Sequence, residues 1–237
     1  TSAFSTTTDT VAEQVGSPAI ALSAVGTSVN GFVINGQAAG DGTIYGNGEG
    51  SMSSVANAGD INGDGYGDLI VSAEFATANG LSKAGRYYVV FGKPGATSVD
   101  LSAIAPATGV GTGGFVINGA AASDQSGYSV SNLGDMNGDG LADLLIGARY
   151  ASSSNVGYAY VVYGKTNTTA IDLTAVEAGN GGFVIKGTST SDYAGTSVSS
   201  AGDVNGDGIV DLIVGAPYAE VTTTLPNSGR SYVVFGK

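Results

Sequence analysis

The segment Gly-Asp-x-Asn-Gly-Asp-Gly-x-x-Asp occurs three times, at Gly59–Asp68, Gly134–Asp143 and Gly202–Asp211. Each copy runs straight into an apolar stretch, Leu69–Ala73, Leu144–Ala148 and Leu212–Ala216. Oxygen-bearing side chains alternate with glycines through the loop, and a strand-like run follows it. That combination constrains local chemistry and overall architecture at once.

Counted from the first aspartate, positions 1, 3, 5 and 9 are Asp60, Asn62, Asp64 and Asp68 in the first copy. They are Asp135, Asn137, Asp139 and Asp143 in the second, and Asp203, Asn205, Asp207 and Asp211 in the third. Position 7 is Tyr66, Leu141 or Ile209, each offering only its backbone carbonyl. Position 6 is always glycine (Gly65, Gly140, Gly208), as a sharp turn with positive φ requires. Calcium is a hard cation that takes about six to eight oxygen ligands, so the pattern predicts three Ca²⁺ sites. An EF-hand shares the first half of the pattern but needs Glu at position 12. Here that position is Val71, Ile146 or Val214, and the flanks are β-branched. The loop is therefore expected to join two strands. A plain Asp/Asn/Gly turn is the competing explanation. Against it, three carboxylates crowded into nine residues repel one another unless a cation sits among them.

Other segments repeat in step with the loops. Tyr87–Lys93, Tyr160–Lys165 and Tyr232–Lys237 share a Tyr-Val-Val-aromatic-Gly-Lys ending, with Phe91, Tyr163 and Phe235 72 residues apart. Gly31–Gly36, Gly114–Gly119 and Gly182–Gly187 form a Gly-Phe-Val-Ile family, each preceded by a smaller apolar motif centred on Leu22, Leu101 or Leu173. A four-strand unit results. Strand one precedes the loop (Ser53–Ala58, Tyr128–Leu133, Thr196–Ala201) and strand two follows it; strands three and four are the two repeated segments. Four antiparallel strands at this period predict an all-β fold of β-propeller blades, with a stacked solenoid as competitor. The expected organisation is a Ser/Thr-rich segment over residues 1–18, then three blades at about 19–98, 99–170 and 171–237.

These residues resemble the FG-GAP repeats of integrin α-subunit propellers and their bacterial relatives. The FG element is Phe91-Gly92, Tyr163-Gly164 and Phe235-Gly236. The GAP element is whole only at Gly215-Ala216-Pro217; the other copies read Ser72-Ala73-Glu74 and Gly147-Ala148-Arg149. The resemblance covers nearly everything from residue 19 onward, and it implies Ca²⁺ bound between the first two strands of each blade. It departs from the family in blade number, since family propellers usually have seven. The chain opens on a strand four (Phe32–Asn35) and closes on a strand three. Three explanations stand: an excerpt of a longer protein, closure within one chain, or strands exchanged between two chains of a homo-oligomer. Thr1 at the start, with neither Met nor a signal peptide, fits a processed protein or an excerpt.

Composition narrows the function. The chain has no cysteine and no histidine, which removes disulfides, thiolate zinc sites and His-based catalysis. A net charge of −12 with eight basic residues argues against nucleic acid. No apolar run reaches the ~20 residues of a membrane span. Three bound Ca²⁺ would halve the net charge, so much of the acidity belongs to the loops. Glu49, Glu74, Glu177 and Glu220 are scattered at non-equivalent loop positions; a paired-carboxylate glycosidase site stays open as an alternative, against the far commoner solvated loop carboxylate. The strand-three tyrosines, Tyr87, Tyr88, Tyr158, Tyr160, Tyr163 and Tyr232, are expected to pack between blades rather than to line a sugar site. Asn167-Thr168-Thr169 is a glycosylation sequon; Arg-Gly-Asp is absent. The expectation is a non-enzymatic, extracellular, calcium-stabilised module for adhesion or assembly, with a protein or glycan as ligand. A carbohydrate-binding propeller and a noncatalytic domain of a larger secreted enzyme are the alternatives.

Overall fold

The computed structural model describes residues 22–26, 31–37, 52–106, 111–221 and 227–236. The segment 1–18, Glu49 and Lys237 lie outside the described residues. Fourteen strands and two one-turn α-helices are described, with a 3-10 turn at Leu22–Ala24. The order is β1 (Ile34–Asn35), β2 (Met52–Gly59), β3 (Asp68–Ala73), β4 (Arg86–Val90), β5 (Val99–Asp100), α1 (Leu101–Ile104) and β6 (Gly114–Asn118). Then come β7 (Ser129–Gly134), β8 (Asp143–Ala148), β9 (Tyr158–Val162), β10 (Ile171–Asp172), α2 (Leu173–Glu177) and β11 (Gly182–Lys186). The last three are β12 (Ser197–Gly202), β13 (Asp211–Ala216) and β14 (Arg230–Val234).

Three antiparallel sheets follow the predicted order of strands one to four: β2-β3-β4-β6, β7-β8-β9-β11 and β12-β13-β14. These are propeller blades, and the third has three strands among the described residues. β6 and β11 close the sheets begun by β2 and β7. The first sheet therefore reaches past the sequence boundary at 98/99, and the second past that at 170/171. β1 does not seat on the third blade; it pairs in parallel with β5, as β6 pairs with β10. The apolar motifs around Leu101 and Leu173 form α1 and α2, where Asp100 and Asp172 end an extended pair and a short Leu-Ser/Thr-Ala run follows.

The central strands read as unbroken apolar runs because both faces are buried. On β8, Leu144 and Ile146 face blade one, meeting Ile70, Tyr87, Val89 and Phe115. Leu145, between them, faces Leu212 and Val214 of blade three. Leu173 and Val176 of α2 join the first of these cores, and Leu101 and Ile104 of α1 cover Tyr88, Val90 and Val116 on the opposite face of blade one. Strands one run side by side, β2 against β7 and β7 against β12. Their serines and small residues suit the narrow end of a wedge. Tyr87 and Tyr160 are buried between blades one and two, which is the packing role expected of them, whereas Tyr88 is buried under α1.

One acid is buried near this seam. Burial pushes the Asp124 carboxyl up to about 6; a backbone hydrogen bond with Ala121 opposes the rise and the charge of Glu177 adds to it. An unfolded Asp titrates at about 3.9, so between these values only the folded chain holds this proton. The group's contribution to stability is full below the lower value and lost as pH rises through the upper one. Asp124→Asn is expected to flatten that part of the Tm profile; a profile identical to wild type would contradict the assignment. Leu173→Ala should cost about 2–5 kcal/mol in urea unfolding, since it opens a cavity at a fully buried site.

Candidate metal centre

Each Asp/Asn/Gly loop links strand one to strand two of its blade, at residues 60–67, 135–142 and 203–210. A β-bulge precedes it, at Asn57/Gly59, Asn132/Gly134 and Ser200/Gly202. The loops share one hydrogen-bond scheme. In the first, Asp60 Oδ1 accepts from the N–H groups of Gly63 (2.8 Å) and Asp64 (3.0 Å), and Oδ2 accepts from Gly65 (2.9 Å). Asn62 Oδ1 accepts from Asp64 N–H, while its Nδ2 donates to Asp64 Oδ2, both at 2.9 Å. Asp64 Oδ1 accepts from Tyr66 N–H at 2.8 Å. Asp135, Asn137, Asp139 and Leu141 repeat the scheme, as do Asp203, Asn205, Asp207 and Ile209. The turn glycines Gly65, Gly140 and Gly208 have φ of 89°, 88° and 88°.

Position 9 differs in kind. Asp68, Asp143 and Asp211 open strand two and are fully buried. One oxygen accepts from the second loop residue: Ile61 to Asp68 at 2.8 Å, Met136 to Asp143 at 2.9 Å, Val204 to Asp211 at 2.8 Å. The other accepts from the FG glycine of strand three: Gly92 at 2.7 Å, Gly164 at 2.9 Å, Gly236 at 2.9 Å. The role of these glycines was not read from the sequence, although their fixed place after strand three was the available signal. A Cβ on Gly92, Gly164 or Gly236 would collide with the position-8 carbonyl and the position-7 side chain of the loop.

Among the described residues, no group of three acidic side chains is gathered tightly enough to hold an ion outright. The carboxylates are turned to the loop's own N–H groups, yet each carboxylate oxygen has capacity beyond those bonds. Electrostatics bears on the fit. Burial raises the Asp68 carboxyl, hydrogen bonds from Gly92 and Ile61 lower it, and the charges of Asp64 and Asp60 raise it again. Asp143 is raised in the same way, with Gly164 and Met136 opposing and Asp139 and Asp135 adding. Three carboxylates thus feel one another within a single loop, and every side-chain donor suited to a metal is oxygen. That set fits a hard divalent cation. The proposed ligands within a loop share one hairpin, and the three loops occupy equivalent ends of successive blades.

The family model described as FG-GAP repeat matches residues 53–90, 126–163 and 194–234, each match spanning strands one to three of one blade. The chain belongs to the FG-GAP repeat family. It is 32% identical to the phosphatidylinositol-glycan-specific phospholipase D of Bos taurus over 68% of its length, which is 18% of that protein. It is 28% identical to integrin alpha-5 of Xenopus laevis over 73% of its length, and 30% identical to integrin alpha pat-2 of Caenorhabditis elegans over 66%. The aligned regions make up 15% and 12% of those two integrins, so this chain spans less than a fifth of each of these relatives. Among the described residues, no helix is long and apolar enough to cross a membrane.

Gly164→Ala should lower the unfolding midpoint by the equivalent of about 1–3 kcal/mol, because the glycine both donates to Asp143 and leaves room for the loop backbone. A midpoint equal to wild type would show that the clamp between strand three and the loop carries no stability.

Proposed function

We propose that this FG-GAP chain is a non-enzymatic, calcium-stabilised propeller module that works outside the cell by presenting loops to a protein or glycan partner. The observation behind this reading is one hydrogen-bond scheme, built on the same three carboxylates, at the same end of three successive blades. Repetition of a scheme serves a scaffold, whereas an active site needs one unequal arrangement. Asp60, Asn62, Asp64 and Asp68, with the Tyr66 carbonyl, would hold the first ion. Asp135, Asn137, Asp139, Leu141 and Asp143 would hold the second, and Asp203, Asn205, Asp207, Ile209 and Asp211 the third. A bound Ca²⁺ supplies positive charge that offsets the crowded carboxylates and ties the hairpin to strand two. Extracellular placement agrees with the lack of cysteine and with the millimolar calcium found outside cells.

Kinship with integrin alpha chains supports an adhesive or assembly role. Kinship with a phospholipase D supports a second reading, in which such blades serve as the noncatalytic part of a larger enzyme. Both readings use the blades as a platform for loops.

Chelation should lower Tm. At a free ion level one hundred times Kd, one site supplies about 2.7 kcal/mol, on the order of 5–10 °C for a chain of this size. A transition unmoved by chelator would sink the calcium reading. Asp64→Ala, Asp139→Ala and Asp207→Ala should each remove about one bound ion in calorimetric titration.

A further inference from the structure

A cleft of about 320 Å³ lies beside blade one, between the end of α1, the strands β4 and β6, and the turn that leads into β10. Asn79, Arg86, Asn118 and Thr168 form its polar side, and Pro106 and Val116 its apolar side. None of these residues belongs to an Asp/Asn/Gly loop. Small ligands are held in clefts of about 300–1,000 Å³, so the space suits a group the size of one sugar ring. We propose that this cleft binds a carboxylated sugar, the uronic acid unit of a glycan, and that Arg86 receives the carboxylate. The assignment rests on the reading above of a module with a protein or glycan partner, and it narrows that partner to an acidic glycan.

Arg86 is oriented in advance for such a contact. Its Nε donates to Asn118 Oδ1 at 3.1 Å, and Asn118, only 4% exposed, donates in turn through Nδ2 to Asp172 at 2.9 Å. Asp172 also accepts from Asn79 Nδ2 at 2.8 Å. One carboxylate thus sets both amides and, through Asn118, the guanidinium. The two terminal nitrogens of Arg86 have no acceptor among the described residues. The one ion pair among those residues joins Lys186 to Glu177 at 4.0 Å, so Arg86 has no acidic side chain paired with it. An arginine fork meets a carboxylate through two parallel hydrogen bonds.

This arrangement is confined to blade one. The register that sets Arg86 opposite Asn118 sets Tyr158 opposite Lys186 in blade two, where the ammonium lies 4.9 Å from the tyrosine ring centre. In blade three, Arg230 Nη2 donates to the Val221 carbonyl at 2.8 Å. A cation left open in one blade alone plays no part in the repeated scaffold.

Charge and shape select the ligand. A phosphate monoester brings a charge of about −1.5 to −2 to a single cation, with the Asp172 carboxylate next behind Asn118. A carboxylate brings one charge and matches the fork. Asn79 Oδ1 and the Thr168 hydroxyl have no partner among the described residues and suit the hydroxyls of a sugar ring. The C–H face of such a ring can rest on Pro106 and Val116. The chain's net charge of −12 repels an extended polyanion, so the favoured partner is a glycan whose acidic units are isolated.

Calorimetric titration with methyl β-glucuronide tests the site. Saturable binding is expected, weaker by about tenfold or more for methyl β-glucoside, which lacks the charged contact. N-acetylglutamate and inorganic phosphate should also bind more weakly. Arg86→Gln should weaken glucuronide binding about tenfold or more. Because Arg86 also braces Asn118, a second variant guards against a folding effect: Thr168→Glu places a negative charge at the half-exposed rim of the cleft and should abolish binding with Tm unchanged. Equal binding of the glucoside overturns the carboxylate contact. Equal binding of N-acetylglutamate assigns the cleft to a peptide carboxylate and overturns the sugar, and equal binding of phosphate overturns the selection by charge. Glucuronide binding that survives both variants lies elsewhere on the chain and overturns the site, as does an absence of saturable binding. In that last case a Tm still lowered by chelator would leave the calcium-stabilised scaffold standing, so the two failures are read apart.

Discussion

A buried carboxylate at the head of strand two holds each blade in shape. Asp68, Asp143 and Asp211 are fully shielded from water, and each has both oxygens bonded, one to the loop and one to strand three. Burying a charge is costly unless its hydrogen-bonding capacity is met, and bonds to a charged group contribute about 1.5–3 kcal/mol each. Two such bonds to separate segments fix the neck of the hairpin and the exit of strand three together. The remainder of the loop can then settle into bonds between its own aspartates and backbone, because its two ends are already set.

Blade stacking follows from side-chain alternation on strands anchored in this way. Leu144 and Ile146 point to one neighbour and Leu145 to the other, so a one-residue slip of β8 would exchange the two cores. The aspartate clamp resists that slip, since Asp143 must stay within reach of both Met136 and Gly164. Small polar residues on β7 and β12 let the strands approach at the inner end, while Leu173 and Val176 of α2 fill the wider outer end. Local chemistry and wedge shape therefore support each other.

The sequence carried most of this. The three loops, the strands around them and the all-β blade order were legible because each residue type reports a local need: glycine for positive φ, aspartate for oxygens, β-branched runs for buried strands. Three features were not legible. α1 and α2 are one turn long, too short for helical periodicity to show in Leu101–Ile104 or Leu173–Glu177. The parallel pairings β1–β5 and β6–β10 are two residues each and join segments far apart in the chain. The FG glycines stood out as a repeat, but their task depends on a contact with an aspartate some twenty residues away, which no local pattern encodes.

The same loops also form part of the seam between blades. The Asp60 carbonyl accepts from Ala142 N–H at 3.0 Å and the Ile61 carbonyl from Lys165 N–H at 2.9 Å, so the first loop's backbone is bonded to the second blade. The Lys165 ammonium lies 4.4 Å from the Phe115 ring centre of blade one, and burial lowers it to about 8. Side chains of the first loop thus face one another while its carbonyls face the neighbouring blade. Any gain in order within the loop is felt at the seam, because both use the same short run of backbone. An ion held by Asp60 and Asp64 would act on two blades at once, which gives a small loop leverage over the stacking of the whole arc.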